Sequence, residues 1–96
     1  YIHVLINNGA HETVGGVPTV SECVDYEKIA LACGYKKVYK AENEEEVINS
    51  VNSAKGDVGP VLIEIKTNLL SRADLGRPTT TPIQNRDAFM DFLKEN

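Results

Sequence analysis

The apolar positions of this chain fall into three short runs, separated by polar or helix-like segments. The first run, 1–7, is almost continuously apolar, which is typical of a parallel strand covered on both faces. The middle run, 36–40, places lysines on either side of Val38, a pattern that favours the edge of a sheet. The third run, 61–65, has the strongest strand pattern. The sequence therefore predicts three strands, the first of them buried.

Two helices are predicted between these strands, and each begins at a capping residue. Asp25 precedes an apolar face with helical spacing, and Gly34 ends that helix just after its last turn. Asn43 caps the second helix, which ends at 55–56. The acidic run 42–46 fills the first turn of this helix, where carboxylates interact favourably with the helix dipole. A metal site is the alternative for that run, and helix-start electrostatics is the favoured interpretation.

The third helix is predicted over 82–93, after a polar stretch at 68–82. Its apolar side chains are predicted to pack inward, namely Phe89, Met90, Phe92 and Leu93. The resulting strand–helix alternation predicts parallel strands joined by right-handed crossovers. The expected fold class is α/β, a single domain over 1–96 with a three-layer arrangement of about three parallel strands and flanking helices. The thin sheet, with its first strand bare on one side, suggests a fragment whose further elements lie upstream.

Composition narrows the classes of partner. The chain has 96 residues and a formal net charge of −4, which argues against nucleic acid or an anionic membrane as the main partner. No window approaches the length of an apolar membrane span, and no signal peptide is visible. Cys23 and Cys33 fit no metal motif, so reduced thiols in a cytoplasmic protein are expected. A disulfide between them is the alternative.

The loop after the first strand carries the chemistry that stands out most. Asn7 and Asn8 come directly after the apolar run, and Gly9, Gly15 and Gly16 follow. Amide oxygens are hard ligands suited to Mg²⁺ or Ca²⁺, and glycine lets the backbone approach a phosphate closely. Asn-Asn-Gly is also a good turn sequence, and composition alone favours that simpler interpretation.

Two polar residues interrupt the apolar runs. His3 is expected to be a structural histidine that pairs with a neighbour or lies at a sheet edge. Glu64 stands inside the strongest strand pattern, where a carboxylate needs a partner or a place at the rim of the sheet.

Four segments carry a resemblance over essentially the whole chain: LINNGAHETVGGVPTV, GYKKVYKA, PVLIEIKT and SRADLGRPTTTP. They resemble the C-terminal end of thiamine-diphosphate-dependent 2-oxoacid decarboxylases, most closely the phosphonopyruvate decarboxylases and next the sulfopyruvate decarboxylases. The resemblance implies the C-terminal half of a diphosphate-binding domain. It also implies that the Asn8 side chain and the Ala10 carbonyl ligate Mg²⁺. Gly9 would then let the backbone turn beside the cofactor diphosphate.

The chain also departs from that family. The Gly-Asp-Gly segment that supplies the aspartate ligand does not occur in it. The pyrimidine-binding domain is missing too, and the family places its active site between subunits or domains. The resemblance therefore implies an inactive 96-residue chain. The intact enzyme, joined to its N-terminal part and a second subunit, would convert 3-phosphonopyruvate to phosphonoacetaldehyde and CO₂ with thiamine diphosphate and Mg²⁺.

Further site residues are weaker candidates. His11 and Glu12 follow the metal loop and are candidate catalytic residues facing cofactor or substrate; turn hydrogen bonds are the alternative. Arg72 and Arg77 are candidates for holding the phosphonate of a 2-oxoacid substrate. Ion pairs with Asp74 or Glu64 are at least as good an explanation for the two arginines.

A function of another class also fits the sequence. The chain can be a non-catalytic docking or assembly module, forming a homo-oligomer through its bare first strand. A Gly-Asp-Gly segment some 25 to 30 residues before Asn7 would favour the enzyme, as the family resemblance implies.

Overall fold

The computed structural model describes residues 1–95. It contains five strands and three α-helices, along with two single-turn 3₁₀ segments at Glu12–Val14 and Val20–Cys23. In chain order the elements are β1 (Ile2–Asn7), β2 (Ala10–His11), β3 (Val17–Pro18), α1 (Tyr26–Ala32), β4 (Lys37–Ala41), α2 (Glu44–Gly56), β5 (Val61–Lys66) and α3 (Pro82–Glu95).

The main sheet has three strands in the order β1-β5-β4, and both pairings are parallel. Asn7 lies opposite Lys66, and Lys40 lies opposite Glu64, so the carboxyl ends of all three strands meet at one edge. Helices flank this sheet, which confirms the predicted α/β class. The edge position predicted for the lysine-rich strand is also confirmed, since β4 pairs only with β5 within residues 1–95.

The core lies between α2 and one face of β5. Val61 and Ile63 are fully buried there with Ala54, and the partly buried Tyr39, Val51 and Ile65 pack against them. Because side chains alternate along a strand, Leu62 and Glu64 point to the opposite face. Leu62 and the buried Ala30 of α1 line one groove on that face, so the two helices lie on opposite faces of the sheet.

Helix α1 begins and ends where the sequence predicts. The Lys28 amide donates to the Asp25 carboxylate at 3.0 Å, as expected for an N-cap. Gly34 has a φ of +90°, and the Tyr35 amide donates to the Ala30 carbonyl at 3.0 Å. This is the Schellman arrangement, which satisfies carbonyls at the end of a helix and favours glycine.

The acidic run at the start of α2 forms a helix cap. The Glu46 amide donates to the Asn43 side chain at 3.0 Å, and the Glu46 carboxylate accepts from the Glu42 amide at 2.7 Å. Within residues 1–95, no group of three or more His, Cys, Asp or Glu side chains is placed to hold a metal ion. The helix-start interpretation is therefore the one that the structure favours.

The predicted burial of the first strand is wrong for the described chain. Ile2, Val4 and Ile6 are 39%, 45% and 61% exposed. The reason is that β1 is an edge strand within residues 1–95. These three side chains lie on the α2 face of the sheet, and α2 packs over β4 and β5 but not closely over β1. The apolar pattern of β1 is typical of a strand buried on both faces, but within residues 1–95 no helix packs closely over Ile2, Val4 and Ile6.

The third helix is confirmed, but its inward packing is wrong. No side chain of α3 is buried, and Phe89, Met90, Phe92 and Leu93 are between 49% and 61% exposed. Residues 67–81 have no helix or strand, and α3 does not pack closely on any other helix or strand of residues 1–95. The radius of gyration is 16.7 Å, whereas a compact domain of this length has about 12 Å.

A polar cluster joins the end of α2 to β4. The Tyr39 hydroxyl donates to one oxygen of Asp57, and the Lys37 ammonium donates to the other at 3.1 Å. The Tyr39 hydrogen bond, followed by that of Lys37, lowers the pKa of the Asp57 carboxyl below its ordinary value of 3.8. The two contacts hold the residue after α2 against the amino end of the edge strand.

Smaller expectations are met as well. His3 lies on the edge strand, and its Nδ1 is 2.8 Å from the Tyr35 hydroxyl, which supports a structural histidine. Cys23 and Cys33 are free and exposed, so the alternative of a disulfide is wrong. Among residues 1–95, no helix has both the length and the apolar character needed to cross a membrane.

Candidate functional site

Asn7 is the last residue of β1 and connects three segments by hydrogen bonds. Its Oδ1 accepts from the Gly9 amide at 3.1 Å and from the Ser21 hydroxyl at 2.9 Å. Its Nδ2 donates to Glu64 Oε1 on the neighbouring strand at 2.9 Å. The amide thus uses three of its four hydrogen-bonding positions. The first asparagine of the pair is therefore a structural link between sheet and loop.

Asn8 folds back on the turn that follows it. The Ala10 amide donates to Asn8 Oδ1 at 3.1 Å, which is an Asx-type turn. Gly9 lies between them with a φ of +69°, in the left-handed region that favours glycine. The Gly9 carbonyl accepts from the Thr19 amide at 2.8 Å. The Asn-Asn-Gly turn predicted from composition is present.

The Ala10 carbonyl points away from the small β2–β3 hairpin. Gly9 and Thr19 form a hydrogen-bonded pair, so the next pair along the ladder, Ala10 and Pro18, is of the type without ladder bonds. Pro18 has no N–H with which to satisfy the carbonyl opposite it. This oxygen lies two residues after the Asn8 side chain, and both belong to the same tight turn.

Two clefts flank Asn7 at the carboxyl edge of the sheet. The smaller, about 220 Å³, runs along the open edge of β1 and is lined by Leu5, Ile6, Asn7, Asn8, Gly9, Thr19, Val20, Ser21 and Tyr26. The larger, about 440 Å³, opens over β4 and β5, and Lys40, Lys66, Glu42 and Glu64 are among the residues that line it. Asn7, Ser21 and Tyr26 belong to both, so they form the wall between the two.

The turn offers hard oxygen donors to an ion. The Asn8 amide oxygen keeps a second lone pair besides the one used by the Ala10 amide, and the Ala10 carbonyl adds another oxygen. Mg²⁺ prefers such ligands in octahedral geometry, so two protein oxygens are part of a site and not the whole of it. Gly9 leaves the space beside the turn without a Cβ. The residues present therefore fit a metal bound to a diphosphate, with further ligands from outside this turn.

The structure places His11 and Glu12 directly after the turn, and both are exposed. His11 ends β2, and Glu12 begins the 3₁₀ turn that leads to Gly15. Neither residue lines the two clefts beside Asn7, within the part of the chain described here. Their catalytic role stays a prediction.

Arg72 and Arg77 lie in the irregular connection between β5 and α3, and both are exposed. Arg72 Nε is 3.2 Å from Asp74 Oδ1, so the ion-pair alternative holds for this arginine. Within residues 1–95, neither arginine lines the two clefts at the carboxyl edge of the sheet. Their role in substrate binding stays a prediction.

Two residues that organise the turn were not predicted as part of the site. Ser21 is buried and reaches Asn7 across 14 positions of sequence, and nothing in its surroundings in the sequence indicates this. Glu64 did give a signal, since a carboxylate in an apolar strand calls for a partner. That partner is Asn7, and only the pairing of β1 with β5 identifies it.

Comparison with known proteins adds a relationship over nearly the whole chain. The chain is 33% identical over 94 residues to a phosphonopyruvate decarboxylase of Streptomyces hygroscopicus, a match that covers 98% of this chain and 23% of that protein. It is 32% identical over 92 residues to a phosphonopyruvate decarboxylase of Streptomyces viridochromogenes, again over 23% of the relative. No family model matches the chain, and no solved structure matches it significantly. The chain is thus related to proteins of this name and spans about a quarter of their length.

Proposed function

We propose that this chain is the part of a thiamine-diphosphate-dependent phosphonopyruvate decarboxylase that holds Mg²⁺ and the cofactor diphosphate. The observation that carries the proposal is the turn at the end of β1, where the Asn8 side chain and the outward Ala10 carbonyl present two hard oxygens. The two decarboxylase relatives support the assignment of the reaction. The resemblance of the segment LINNGAHETVGG to the metal loop of such enzymes supports the ligand set.

Each residue of the turn has a separate task in this proposal. Asn8 Oδ1 and the Ala10 carbonyl hold the metal that anchors the diphosphate, and the Asx-type bond between Asn8 and Ala10 keeps them on one turn. Gly9, at a φ of +69°, gives the chain its sharp reversal and leaves room beside it. Asn7 fixes the start of the turn to β5. The chemistry supplied by bound thiamine diphosphate is an electron sink for the loss of CO₂ from a 2-oxoacid.

The remaining parts of the site come from outside this chain. An Mg²⁺ site needs more ligands than the turn provides, and the residues that activate the cofactor belong to the rest of the enzyme and to a second subunit. The open edge of β1 runs directly into the turn, so a strand added there would lie beside the metal. We accordingly expect the 96-residue chain alone to show no measurable binding of thiamine diphosphate with Mg²⁺ by calorimetry.

The test uses the full-length protein and the variant Asn8→Ala. Loss of a metal ligand is expected to weaken Mg²⁺-dependent binding of thiamine diphosphate by at least about 10–100-fold, the range seen when groups supporting a metal are removed. Asn68→Ala is a matched control, because Asn68 makes the same kind of local bond, to the Leu70 amide at 3.2 Å, in an exposed segment. Equal binding by Asn8→Ala and wild type would overturn the proposal.

Activity assays decide between the related functions. Release of CO₂ from 3-phosphonopyruvate, and not from 3-sulfopyruvate, is the expected result for the full-length protein. The opposite preference would make it a sulfopyruvate decarboxylase. No turnover of either acid, together with self-association that depends on the edge of β1, would favour the docking or assembly module instead.

A further inference from the structure

Glu64 is an unusual residue for its position. It lies in the central strand, where Val61, Leu62 and Ile63 are all buried, and its own exposure is only 6%. A carboxylate at such a depth is costly unless hydrogen bonds compensate for the lost water. Glu64 Oε1 accepts a hydrogen bond from Asn7 Nδ2, at the end of the strand that leads into the metal turn.

The pair has a consequence for the orientation of the Asn7 amide. An amide can present either its oxygen or its nitrogen to a given neighbour, whereas an ionised carboxylate only accepts. Glu64 therefore turns Nδ2 of Asn7 toward β5 and Oδ1 toward the loop. In that orientation Oδ1 accepts from both the Gly9 amide and the Ser21 hydroxyl. The flipped amide would place an N–H group against the Gly9 amide and its oxygen against the Glu64 carboxylate, so both of those bonds would be lost.

We infer that Glu64 is a positioning residue for the metal turn, acting through Asn7. The inference rests on the proposed function of that turn. Glu64 does not line the smaller cleft beside Asn8, and it reaches the turn only by fixing which end of the Asn7 amide faces it. The buried Ser21, which is 8% exposed, is held by the same oxygen, so the start of the turn and the 3₁₀ segment at Val20–Cys23 are fixed together.

A charge swap tests this geometry. In Asn7→Asp the donor to Glu64 is lost and two carboxylates face each other, so the turn should loosen. In the double variant Asn7→Asp/Glu64→Gln, the new amide at position 64 donates to the new carboxylate at position 7, whose oxygens still accept from the Gly9 amide and the Ser21 hydroxyl. The double variant has the same net charge as wild type. It should restore the order that the single variant loses.

The first measurement is amide hydrogen exchange of residues 8–19 in the metal-free full-length protein, followed by peptide mass spectrometry. Asn7→Asp should speed exchange by about 10-fold or more, because the bond to Glu64 is lost and two carboxylates then face each other. The double variant should return to within about 3-fold of wild type. Ile63→Val is the control, because Ile63 is buried on the other face of β5 and should leave exchange in this segment unchanged.

The second measurement is the Mg²⁺ concentration for half-maximal binding of thiamine diphosphate, by calorimetry. It should rise about 10–100-fold in Asn7→Asp and recover in the double variant. Unchanged exchange in Asn7→Asp, or no recovery in the double variant, overturns the inference. Altered exchange without any change in Mg²⁺ requirement also overturns it, since Glu64 would then order a turn that does not serve the metal. If wild type binds no cofactor, the proposed function fails, and exchange alone decides whether Glu64 holds the turn.

Discussion

The backbone of Tyr1 lies so close to Gly59 that a Cβ on Gly59 would be 2.9 Å from the Tyr1 carbonyl oxygen and 3.0 Å from its nitrogen. The same carbonyl accepts a hydrogen bond from the Val61 amide at 2.9 Å. Tyr1, which leads into β1, therefore cannot move away from Gly59 without losing its hydrogen bond to Val61 at the start of β5.

Gly59→Ala is expected to lower the free energy of unfolding by about 1–3 kcal/mol, because the added methyl group overpacks a backbone contact. Denaturant unfolding measures the change. Gly56→Ala is the matched control, since a Cβ at Gly56 meets nothing within 4 Å and the residue ends α2. Alanine should be neutral or stabilising there by up to about 1 kcal/mol. Equal effects of the two substitutions would contradict the close contact.

The cap of α2 gives a second prediction. Asn43→Ala removes the acceptor of the Glu46 amide and should destabilise the protein by about 1 kcal/mol. Asn52→Ala changes the same residue type in the exposed interior of α2, where alanine is the better helix former. It should leave stability unchanged or raise it slightly. Denaturant unfolding of both variants measures the difference, and a loss of similar size at Asn52 would show that the cap is not the cause.

These caps show what local sequence predicts well. Asp25, Gly34 and Asn43 act on backbone within a few residues of themselves, so their roles follow from residue type and spacing alone. The lysines of β4 likewise indicated an edge strand, because charged side chains are favoured where a strand is exposed to solvent.

Burial was predicted less well, and for a physical reason. The apolar pattern of β1 and α3 predicts that one face of each element is buried, but it does not identify the element that packs against that face. In residues 1–95, Ile6 is 61% exposed and Phe89 is 61% exposed. The Ser21–Asn7 bond was beyond prediction for a related reason, since it depends on how a long loop returns to the sheet and not on any spacing.

Stability should depend on pH through Asp57. The Tyr39 hydroxyl and the Lys37 ammonium lower its pKa in the folded protein below the ordinary value of 3.8. The contribution to stability is therefore complete above that value and is lost as the pH falls through the folded pKa. Tyr39→Phe removes the larger cause and should flatten the acid side of the stability curve. Unfolding followed across the acid range measures this.

Tyr35→Phe is the control for that measurement. It also removes one hydroxyl, the one that contacts His3 Nδ1, but it does not touch Asp57. The dependence of its unfolding free energy on pH in the acid range should match that of wild type. If Tyr39→Phe also kept the wild-type pH dependence, the Asp57 carboxylate would not be the group that causes the loss of stability in acid.

Substitutions at Gly9 and Gly34 separate the cost of backbone strain from an effect on the proposed metal turn. Both have positive φ, +69° and +90°, so alanine at either should cost about 1 kcal/mol of stability. Only Gly9→Ala disturbs the turn with Asn8 and Ala10, so only this variant should weaken Mg²⁺-dependent binding of thiamine diphosphate. Calorimetry on the two full-length variants measures the contrast. Equal binding by both would mean that the conformation of Gly9 does not matter to the site.

The hydrogen bonds of the turn also bear on its chemical lifetime. Asn8 precedes glycine, and such an asparagine loses its side-chain amide when the following backbone nitrogen attacks the side-chain carbonyl carbon. Here the Gly9 nitrogen is bound to Asn7 Oδ1, and the Asn8 oxygen is bound to the Ala10 amide. Both reacting groups are thus held in other contacts. The folded turn protects the amide that it presents, and deamidation at Asn8 should begin only when the turn opens.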